Sequence, residues 1–324
     1  MKGFSYRSAA VYVALLTALS TLAAVAERPP GGLFSLREVT IQAFSKYVVK
    51  TEAQNAESLR LGPFLWVDSL QEKDRTAAIA KLRDGEVELR RLSGSGTGGN
   101  LQVPGGMIHD WEGTIFIPVA TIDDVLKVLQ DYDHHATYYA PDVAKARIES
   151  RDGSHFRVFM RFRRRKLVTV VLDTEQEVTY YRDSPLRAHS RSSAVRITQV
   201  EDPDGPDEKE KAPGEDDGFL WRMETWWRME ERNGGVYLQT QVVTLTRDIP
   251  AGLAWLIEPF ITKIPKETLE FTLQATRKAV LANRRANSLS RSPVVRGSQS
   301  ESLLRRSEGD ETNSANDWDD WVRQ

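Results

Sequence analysis

The strongest constraint on the fold lies in the last patterned stretch of the chain, residues 218–284. Two segments of alternating apolar and polar residues are joined at Asn233-Gly234-Gly235 and predict a pair of strands. A region that starts at a proline then leads into one long amphipathic helical pattern. Two aromatic-rich strands followed by a single long helix predict a sheet folded around that helix, with space for a pocket between them.

The first of these two strands has faces of different chemistry, because successive side chains of a strand point in opposite directions. One predicted face carries Phe219, Trp221, Met223, Thr225, Trp227 and Met229, and the other carries Arg222, Glu224, Trp226, Arg228 and Glu230. Two interpretations of the first face stay open. It packs on the helix as plain core, or Trp221, Met223 and Trp227 line an apolar cavity, where aromatic rings supply much of the contact area. The charged face is predicted to form cross-strand pairs in solvent, with Trp226 partly covered by a neighbour.

The preceding region predicts an antiparallel sheet with few helices. Residues 111–118 form a strand pattern, and Thr121 is placed to cap a helix whose first turn holds Asp123 and Asp124. Four further strand patterns follow, at 143–150, 155–164, 166–180 and 187–200. A strand, helices, a run of strands and a terminal helix together predict an α+β fold. The acidic, proline-containing stretch 201–217 is predicted to be a solvated loop.

The N-terminal residues predict an export signal. Lys2 and Arg7 precede an apolar stretch, and Ala24-Val25-Ala26 fits the small-residue pattern that signal peptidase cleaves. Residues 1–26 therefore predict a signal peptide cleaved near Ala26, which delivers the protein to the periplasm or the medium. The alternative is an uncleaved membrane anchor. The chain has no cysteine, so no disulfide stabilises it.

Composition divides the rest of the chain. Residues 27–92 predict a mainly helical segment, and the Gly/Ser-rich residues 93–106 predict a flexible linker. Residues 286–324 predict a disordered tail, in which Trp318 and Trp321 form either a short docking motif or part of an inert end. A net charge of -2 argues against a general nucleic-acid binder.

The strand at 155–164 offers a candidate ligand contact. Met160 and Phe162 share an apolar face, while Arg161 lies on the opposite one. An arginine facing a cavity suits a carboxylate or phosphate head group, whereas an arginine on a solvated strand face has no such role. The turn Arg163-Arg164-Arg165-Lys166 either contacts anionic lipid head groups or is a soluble hairpin tip.

The other polar candidates for the pocket are Tyr138, Tyr139 and His189. Adjacent His134 and His135 point in different directions and lack a metal-binding spacing, so no metal site is predicted. No other cofactor and no catalytic residue are predicted.

The order of these elements and their residue sequences resemble the START and polyketide-cyclase-like superfamily, also called SRPBCC. The resemblance rests on Ile115-Phe116-Ile117-Pro118-Val119, Gln130-Asp131-Tyr132-Asp133, Tyr139-Ala140-Pro141-Asp142-Val143, the strand from Phe219, Leu245-Thr246-Arg247-Asp248-Ile249-Pro250 and the helix from Ile264. It covers residues 107–285 and is strongest to exported bacterial members of unassigned function.

The resemblance implies a helix-grip (START-like) domain: an antiparallel sheet wrapped around a long C-terminal helix, here with an N-terminal helical extension. Members bind lipids, sterols, polyketides or other apolar molecules, and some catalyse cyclisation or hydrolysis in the same cavity. Three functions follow as expectations. The first is an exported binding protein for a hydrophobic or amphipathic, lipid-like molecule. The others are a cyclase- or hydrolase-like enzyme and an interaction protein with a collapsed cavity.

Overall fold

The computed structural model describes residues 36, 38–92, 101–165, 169–212, 214–248 and 254–291. The predicted signal peptide, most of the Gly/Ser-rich linker, Lys166 and the tail from residue 292, which holds Trp318 and Trp321, lie outside these residues, so what the sequence predicts for them stays a prediction. Within the described residues, no helix has the length and hydropathy needed to cross a membrane.

Antiparallel strands form the body of the molecule. In chain order they are β1 (Glu88–Arg91), β2 (Leu101–Val103), β3 (Gly106–Pro118), β4 (Val143–Asp152), β5 (His155–Arg165), β6 (Thr169–Ser184), β7 (Arg187–Glu201), β8 (Lys209–Glu210), β9 (Arg222–Arg232) and β10 (Gly235–Arg247). The spatial order is β1-β3-β10-β9-β7-β6-β5-β4, with β2 paired to β3 and β8 to β7. Each described pairing is antiparallel.

Helices flank this sheet on both sides. They are α1 (Glu38–Leu61), α2 (Glu72–Arg83), α3 (Ile122–Leu129), α4 (His135–Tyr138) and α5 (Ala254–Arg291), with 3-10 turns at Trp66–Ser69 and Tyr132–His134. Thr121 caps α3 as expected, because its side chain accepts a hydrogen bond from the Asp124 N–H while the Asp124 carboxylate accepts one from the Thr121 N–H. Helix α5 continues past the predicted end at residue 285.

The long helix α5 packs against one face of the sheet, which we call the concave face. Leu269 and Leu273 of α5 are buried there beside Gly113 of β3. A Cβ atom on Gly113 would stand 2.8 Å from the Leu273 Cδ1 atom, so the absence of a side chain lets the helix approach closely. The predicted α+β fold with a sheet around a C-terminal helix is confirmed.

The hairpin between β9 and β10 has the turn that its sequence favours. Arg232 pairs with Gly235, which leaves Asn233 and Gly234 as the two loop residues, with φ angles of 55° and 78°. Two successive positive φ angles define the turn type whose twist matches a β-hairpin, and Asn-Gly is its preferred sequence. This turn fixes the register of β9 against β10.

We expect Gly235→Ala to lower the free energy of unfolding by about 2 kcal/mol. A Cβ atom at this position would lie 2.4 Å from the Ile117 carbonyl oxygen, a backbone atom that cannot swing aside. Urea denaturation measures the change. Gly234→Asn is the control, because nothing lies within 4 Å of a Cβ atom there and asparagine tolerates a positive φ. An equal loss in both variants would contradict this explanation.

The opposite face of the sheet, which we call the outer face, is covered by the N-terminal segment. Glu224, Trp226, Arg228 and Glu230 are all less than 10% exposed. The prediction that this face of β9 is solvated was therefore wrong. Helix α1 and the residues that follow it pack over these side chains, so the face is buried although it is charged.

Polar contacts attach the N-terminal segment to the outer face. The Tyr47 hydroxyl donates to Asp110 Oδ2 at 2.8 Å, and the Asn55 side chain donates to Gln241 at 3.0 Å. A smaller apolar cluster adds Phe44 and Val48 of α1 to the contact. Burial and the adjacent Asp110 carboxylate raise the pKa of Tyr47.

The acidic stretch 201–217 also differs from its prediction. It holds β8, and its acids pair with arginines of the sheet instead of facing only solvent. Glu208 accepts a hydrogen bond from Arg161 at 2.7 Å, and Asp204 pairs with Arg163. The loop therefore neutralises basic groups of β5.

The basic turn that follows β5 is also partly neutralised. Arg164 forms an ion pair with Asp142 at 2.6 Å, and Arg163 pairs with Asp204 as described above. Arg165 is exposed. Two of the four charges predicted to contact lipid head groups are thus compensated within the chain, which weakens that prediction.

Candidate functional site

The concave face carries a set of buried, uncharged polar side chains in its middle. Strand register places them on the same side of the sheet as Ile115, Met160 and Met229, which form the main core with α5. We call this set the polar strip, and its members are Thr174, Gln176, Ser190, Ser192 and Thr240, all less than 10% exposed.

One part of the polar strip is internally hydrogen-bonded. Ser192 Oγ donates to Gln176 Oε1 at 3.0 Å, and Gln176 Nε2 donates to Thr174 Oγ1 at 3.0 Å. Thr174 Oγ1 in turn donates to the Met160 carbonyl oxygen at 3.1 Å. This chain of bonds crosses from β7 to β5 and fixes the three side chains.

The other part of the polar strip lacks partners. Ser190 Oγ and Thr240 Oγ1 are buried, and neither has a hydrogen-bond partner in the described part of the chain. Both residues lie beside Trp227, which pairs with Thr240 on one side and with Ser190 on the other. A buried hydroxyl without a partner is costly, and such groups in folded proteins call for a specific explanation.

Apolar side chains border the polar strip. Met160 is 9% exposed, while Phe162 and Trp227 are half-buried and pack against the main core. Toward the ends of β9 and β10 that lie farther from their hairpin, Met223 and Val242 are also half-buried on the concave face. A surface of this kind offers apolar contact together with a few fixed polar points, which is typical of small-molecule sites.

Four of the predicted site residues are brought together here. Met160, Phe162, Met223 and Trp227 lie on the concave face, as the alternation of β5 and β9 predicts. Whether they contact a ligand stays a prediction, but the structure places them on one surface.

Three other predicted residues lie away from this surface. Trp221 precedes β9 and packs with Phe44 and Trp226 in the cluster beneath α1, and its indole N–H donates to Asp216 at 2.8 Å. The alternation of β9 does not extend back to Trp221, so the predicted common face with Trp227 was wrong.

Arg161 and His189 lie on the outer face. Arg161 is 7% exposed and donates to both oxygens of Asp173, at 2.7 and 2.8 Å. This position contradicts the solvated strand face and equally the head-group contact in a cavity. The ring of His189 stacks on Tyr181 with centroids 4.6 Å apart, and its Nδ1 atom lies 2.8 Å from an Asp183 oxygen.

Tyr138 and Tyr139 connect the α4 turn to its surroundings. The Tyr139 hydroxyl is 3.0 Å from Thr276 Oγ1 of α5, and the Tyr138 hydroxyl donates to Asp131 at 2.6 Å. Burial raises the pKa of Tyr139 to about 12. Both hydroxyls are thus engaged within the protein, and Phe162 packs against the same cluster.

The two buried histidines of the described chain are held neutral near pH 7. Burial lowers the pKa of His109 on the concave face to about 4, and it lowers the pKa of His135 to the same value. Within the described residues, no group of three or more His, Asp or Glu side chains is placed to hold a metal ion.

Sequence reasoning missed the polar strip, although a signal for it exists. In β7, Ser190 and Ser192 stand between Ala188 and Ala194 on the face that alternation assigns to the core. In β6, Gln176 follows the same pattern beside Val178. Polar residues at positions where the period requires apolar ones mark a buried polar patch.

A surface hollow of about 550 Å³ lies outside the concave site. It is formed where the N-terminal segment, with Phe64, meets the β6–β7 turn and the end of β9. Arg187 and Arg232 pair with Glu230 within it, at 2.6 and 3.2 Å. We therefore interpret this hollow as a groove left where the N-terminal segment packs on the sheet, and not as a ligand site.

Comparisons with known proteins bear on the fold. No protein-family model matches the chain, and no curated protein matches it. Among solved structures, the chain is similar to a STAR-related lipid transfer protein from Xanthomonas axonopodis, with 20% identity over 57% of this chain and 99% of that chain and a TM-score of 0.39.

Two further structures are similar over comparable lengths. The Zhui aromatase/cyclase from a Streptomyces species has 13% identity over 56% of this chain and 98% of that one, with a TM-score of 0.37. Human STARD10 has 10% identity over 68% and 83%, with a TM-score of 0.39. These are proteins of the kinds that the sequence resemblance names. At such TM-scores the likeness carries no further argument, so the fold assignment depends on the strand order and terminal helix of this chain.

Proposed function

We propose that this protein binds a hydrophobic or amphipathic small molecule on the concave face, between the sheet and α5. The observation that carries the proposal is the pair of unpartnered hydroxyls, Ser190 Oγ and Thr240 Oγ1, on either side of Trp227. A ligand that brings a polar group to one of these hydroxyls, or one group to each, removes their desolvation cost, while its apolar body covers Trp227 and Phe162.

The alternative of a cyclase- or hydrolase-like enzyme receives less support. A general acid or base must lie within hydrogen-bond reach of the substrate. Among the polar residues predicted for the pocket, Arg161 and His189 lie on the outer face, and the Tyr139 hydroxyl is bonded to Thr276. The described polar strip supplies hydroxyl and amide groups, which suit binding better than proton transfer.

We further propose that the chain is exported through residues 1–26 and cleaved near Ala26. The support is the sequence pattern alone. N-terminal sequencing of the protein recovered from the periplasm or medium of the cells that produce it tests this step, and a mature chain that still begins at Met1 would overturn it.

Replacing Trp227 tests the binding site. We expect the wild-type protein to bind Nile red, an uncharged apolar fluorophore, and Trp227→Ala to weaken that binding at least tenfold, since a buried aromatic side chain contributes about 1.5–3 kcal/mol. Fluorescence titration measures the affinity, and native mass spectrometry of gently purified protein shows any molecule that is retained.

The neighbouring residue provides a matched control. Trp226→Ala removes the same side chain from the outer face, where it packs beneath α1, so the affinity for Nile red should stay near the wild-type value. Circular dichroism establishes that both variants are folded. Absence of binding by the wild-type protein, or equal losses in the two variants, would reject the concave face as the site and favour a collapsed cavity.

A further inference from the structure

We infer that the polar part of the ligand is uncharged and carries a hydroxyl or carbonyl oxygen that hydrogen-bonds to Ser190 or to Thr240, or one such oxygen for each. This inference rests on the proposed function and adds the chemical class of the molecule. It excludes free carboxylates and phosphates as the group buried at the polar strip.

The hydroxyl groups themselves select for an uncharged partner. Ser190 Oγ and Thr240 Oγ1 each offer one O–H donor and two acceptor positions. A hydroxyl or carbonyl group satisfies such atoms, whereas a buried anion requires a cation or several convergent donors. The remaining members of the polar strip are occupied with one another in the chain from Ser192 to Thr174.

Charged side chains on the concave face are already engaged. Arg164 of β5 pairs with Asp142 at 2.6 Å and also contacts Thr268 of α5. Glu231 of β9 accepts a hydrogen bond from the Ile122 N–H at the start of α3, at 2.9 Å. Neither group is available to compensate a ligand charge at the polar strip.

The same holds at the edges of this face. Arg182 forms an ion pair with Asp123 at 3.0 Å, and the Arg91 guanidinium lies over the Trp111 ring, 5.3 Å from its centroid. His109 is 3.1 Å from Thr246 Oγ1 and is neutral at pH 7, because burial lowers its pKa to about 4. Each of these groups has its own contact within the protein, so a carboxylate placed beside Trp227 would have to break one of these contacts to gain a compensating charge.

Strand spacing gives the separation of the two anchoring points. Thr240, Trp227 and Ser190 lie in one row across β10, β9 and β7. Neighbouring strands are about 4.8 Å apart, so the two hydroxyl-bearing residues are about 10 Å apart with the indole between them. The arrangement fits an apolar body lying on Trp227, with an oxygen at one end or at both ends.

Two ligands of equal chain length test the charge preference. We expect 1-decanol to bind the full-length protein at least tenfold more tightly than decanoate at pH 7, measured by displacement of Nile red. Equal affinities, or tighter binding of decanoate, would overturn the inference while the proposed function stands. If neither compound nor Nile red binds, the proposed function itself fails and the inference with it.

Substitutions of Ser190 and Thr240 test whether the preference for an uncharged ligand arises at these two residues. 1-Decanol has one hydroxyl and can reach only one of the two residues, so either Ser190→Ala or Thr240→Val, whichever removes that partner, should weaken 1-decanol binding about three- to tenfold, as expected for the loss of one hydrogen bond. Neither substitution should change decanoate binding. The ligand-free variants should melt at or above the wild-type temperature, because each removes a buried hydroxyl that has no partner. A merely structural role for these hydroxyls predicts the opposite shift in melting temperature.

Thr114→Val is the matched control. Thr114 Oγ1 is also buried without a partner among the described residues, but Thr114 lies on the outer face of β3, opposite Gln239. The variant should gain thermal stability as Thr240→Val does and keep the wild-type affinity for 1-decanol. Unchanged 1-decanol affinity in Ser190→Ala and Thr240→Val, or an equal loss in Thr114→Val, would overturn the inference.

Discussion

Replacement of Arg228 by methionine is expected to lower the free energy of unfolding by about 3–5 kcal/mol and to loosen the N-terminal segment. Arg228 Nη1 donates to Ser58 Oγ and to the Phe64 carbonyl oxygen, both at 2.9 Å, and Nη2 donates to Asn55 Oδ1 at 2.8 Å. The side chain is 6% exposed. Methionine retains the apolar volume but leaves the buried Phe64 carbonyl oxygen and the partly buried Ser58 and Asn55 oxygens without these donors.

The electrostatic consequence adds to this loss. Burial lowers the pKa of Arg228, while the nearby Glu112 carboxylate favours its charged form. Glu112 is itself buried, and burial raises its pKa in spite of its ion pair with Arg90 at 2.5 Å. Without Arg228 one of the two cations near Glu112 is lost, and the carboxylate becomes costlier to keep ionised.

Urea denaturation measures the change in stability, and hydrogen exchange across Glu38–Leu61 measures the loosening of α1. Arg196→Met is the control, because the Arg196 side chain is 46% exposed and its ion pairs with Glu175 and Glu210 are at the surface. Its effect should stay within about 1 kcal/mol. If Arg228→Met destabilises the protein without faster exchange in α1, Arg228 does not hold the N-terminal segment.

The order of the strands and the terminal helix could be predicted because their signals are local. Period-two alternation places Met160 and Phe162 on one side of β5, and Asn233-Gly234 specifies the hairpin on its own. The family resemblance over residues 107–285 predicted that the terminal helix packs on the sheet. The same local signals placed Met223 and Trp227 on the concave face.

What covers the other face could not be predicted from the sequence. Alternation gives two faces of opposite polarity, and the usual inference is that the charged face meets water. Here the Arg228 partners Asn55, Ser58 and Phe64 are far away in sequence and come from a segment outside the resemblance. When a polar helix that is distant in sequence buries charged residues, the periodicity of the strand gives no sign of that burial.

The same limit explains Arg161. Its neighbours on β5 indicate an outward direction, which the structure has, but its burial depends on Asp173 of β6 and on Glu208 in the acidic loop. Ion pairing that depends on how a loop folds back cannot be inferred from strand periodicity. The polar strip could in principle have been predicted from the sequence, since Gln176, Ser190 and Ser192 interrupt otherwise apolar faces.

Acidification from pH 7 to pH 4 is expected to destabilise the protein in part through His135, and His135→Gln should remove that part. The ring is 5% exposed, its Nε2 atom lies 3.1 Å from the Val128 carbonyl oxygen, and it packs 4.6 Å from the Tyr132 ring and 5.0 Å from the Tyr139 ring. Burial lowers its pKa from 6.5 to about 4, although the carbonyl oxygen and Asp131 favour the charged form.

The direction of this change in stability with pH follows from proton binding. Between pH 6.5 and 4 the unfolded chain binds a proton at His135 and the folded chain does not, so the stability contributed by this group is complete above pH 6.5 and is lost as the pH falls. Each pH unit in this window costs about 1.4 kcal/mol, or about 3 kcal/mol by pH 4. Urea denaturation at a series of pH values should show a shallower acid loss in His135→Gln, where the amide N–H can still donate to Val128.

The adjacent residue separates this effect from a general response to acid. His134 is exposed, and its hydrogen bond to Asp131 raises its pKa, so its contribution is present at low pH and is lost as the pH rises through that value. His134→Gln should therefore keep the acid loss of the wild-type protein or make it slightly steeper. Two neighbouring histidines thus predict opposite changes in slope, and identical pH profiles for the two variants would show that burial of the His135 ring does not set the acid sensitivity.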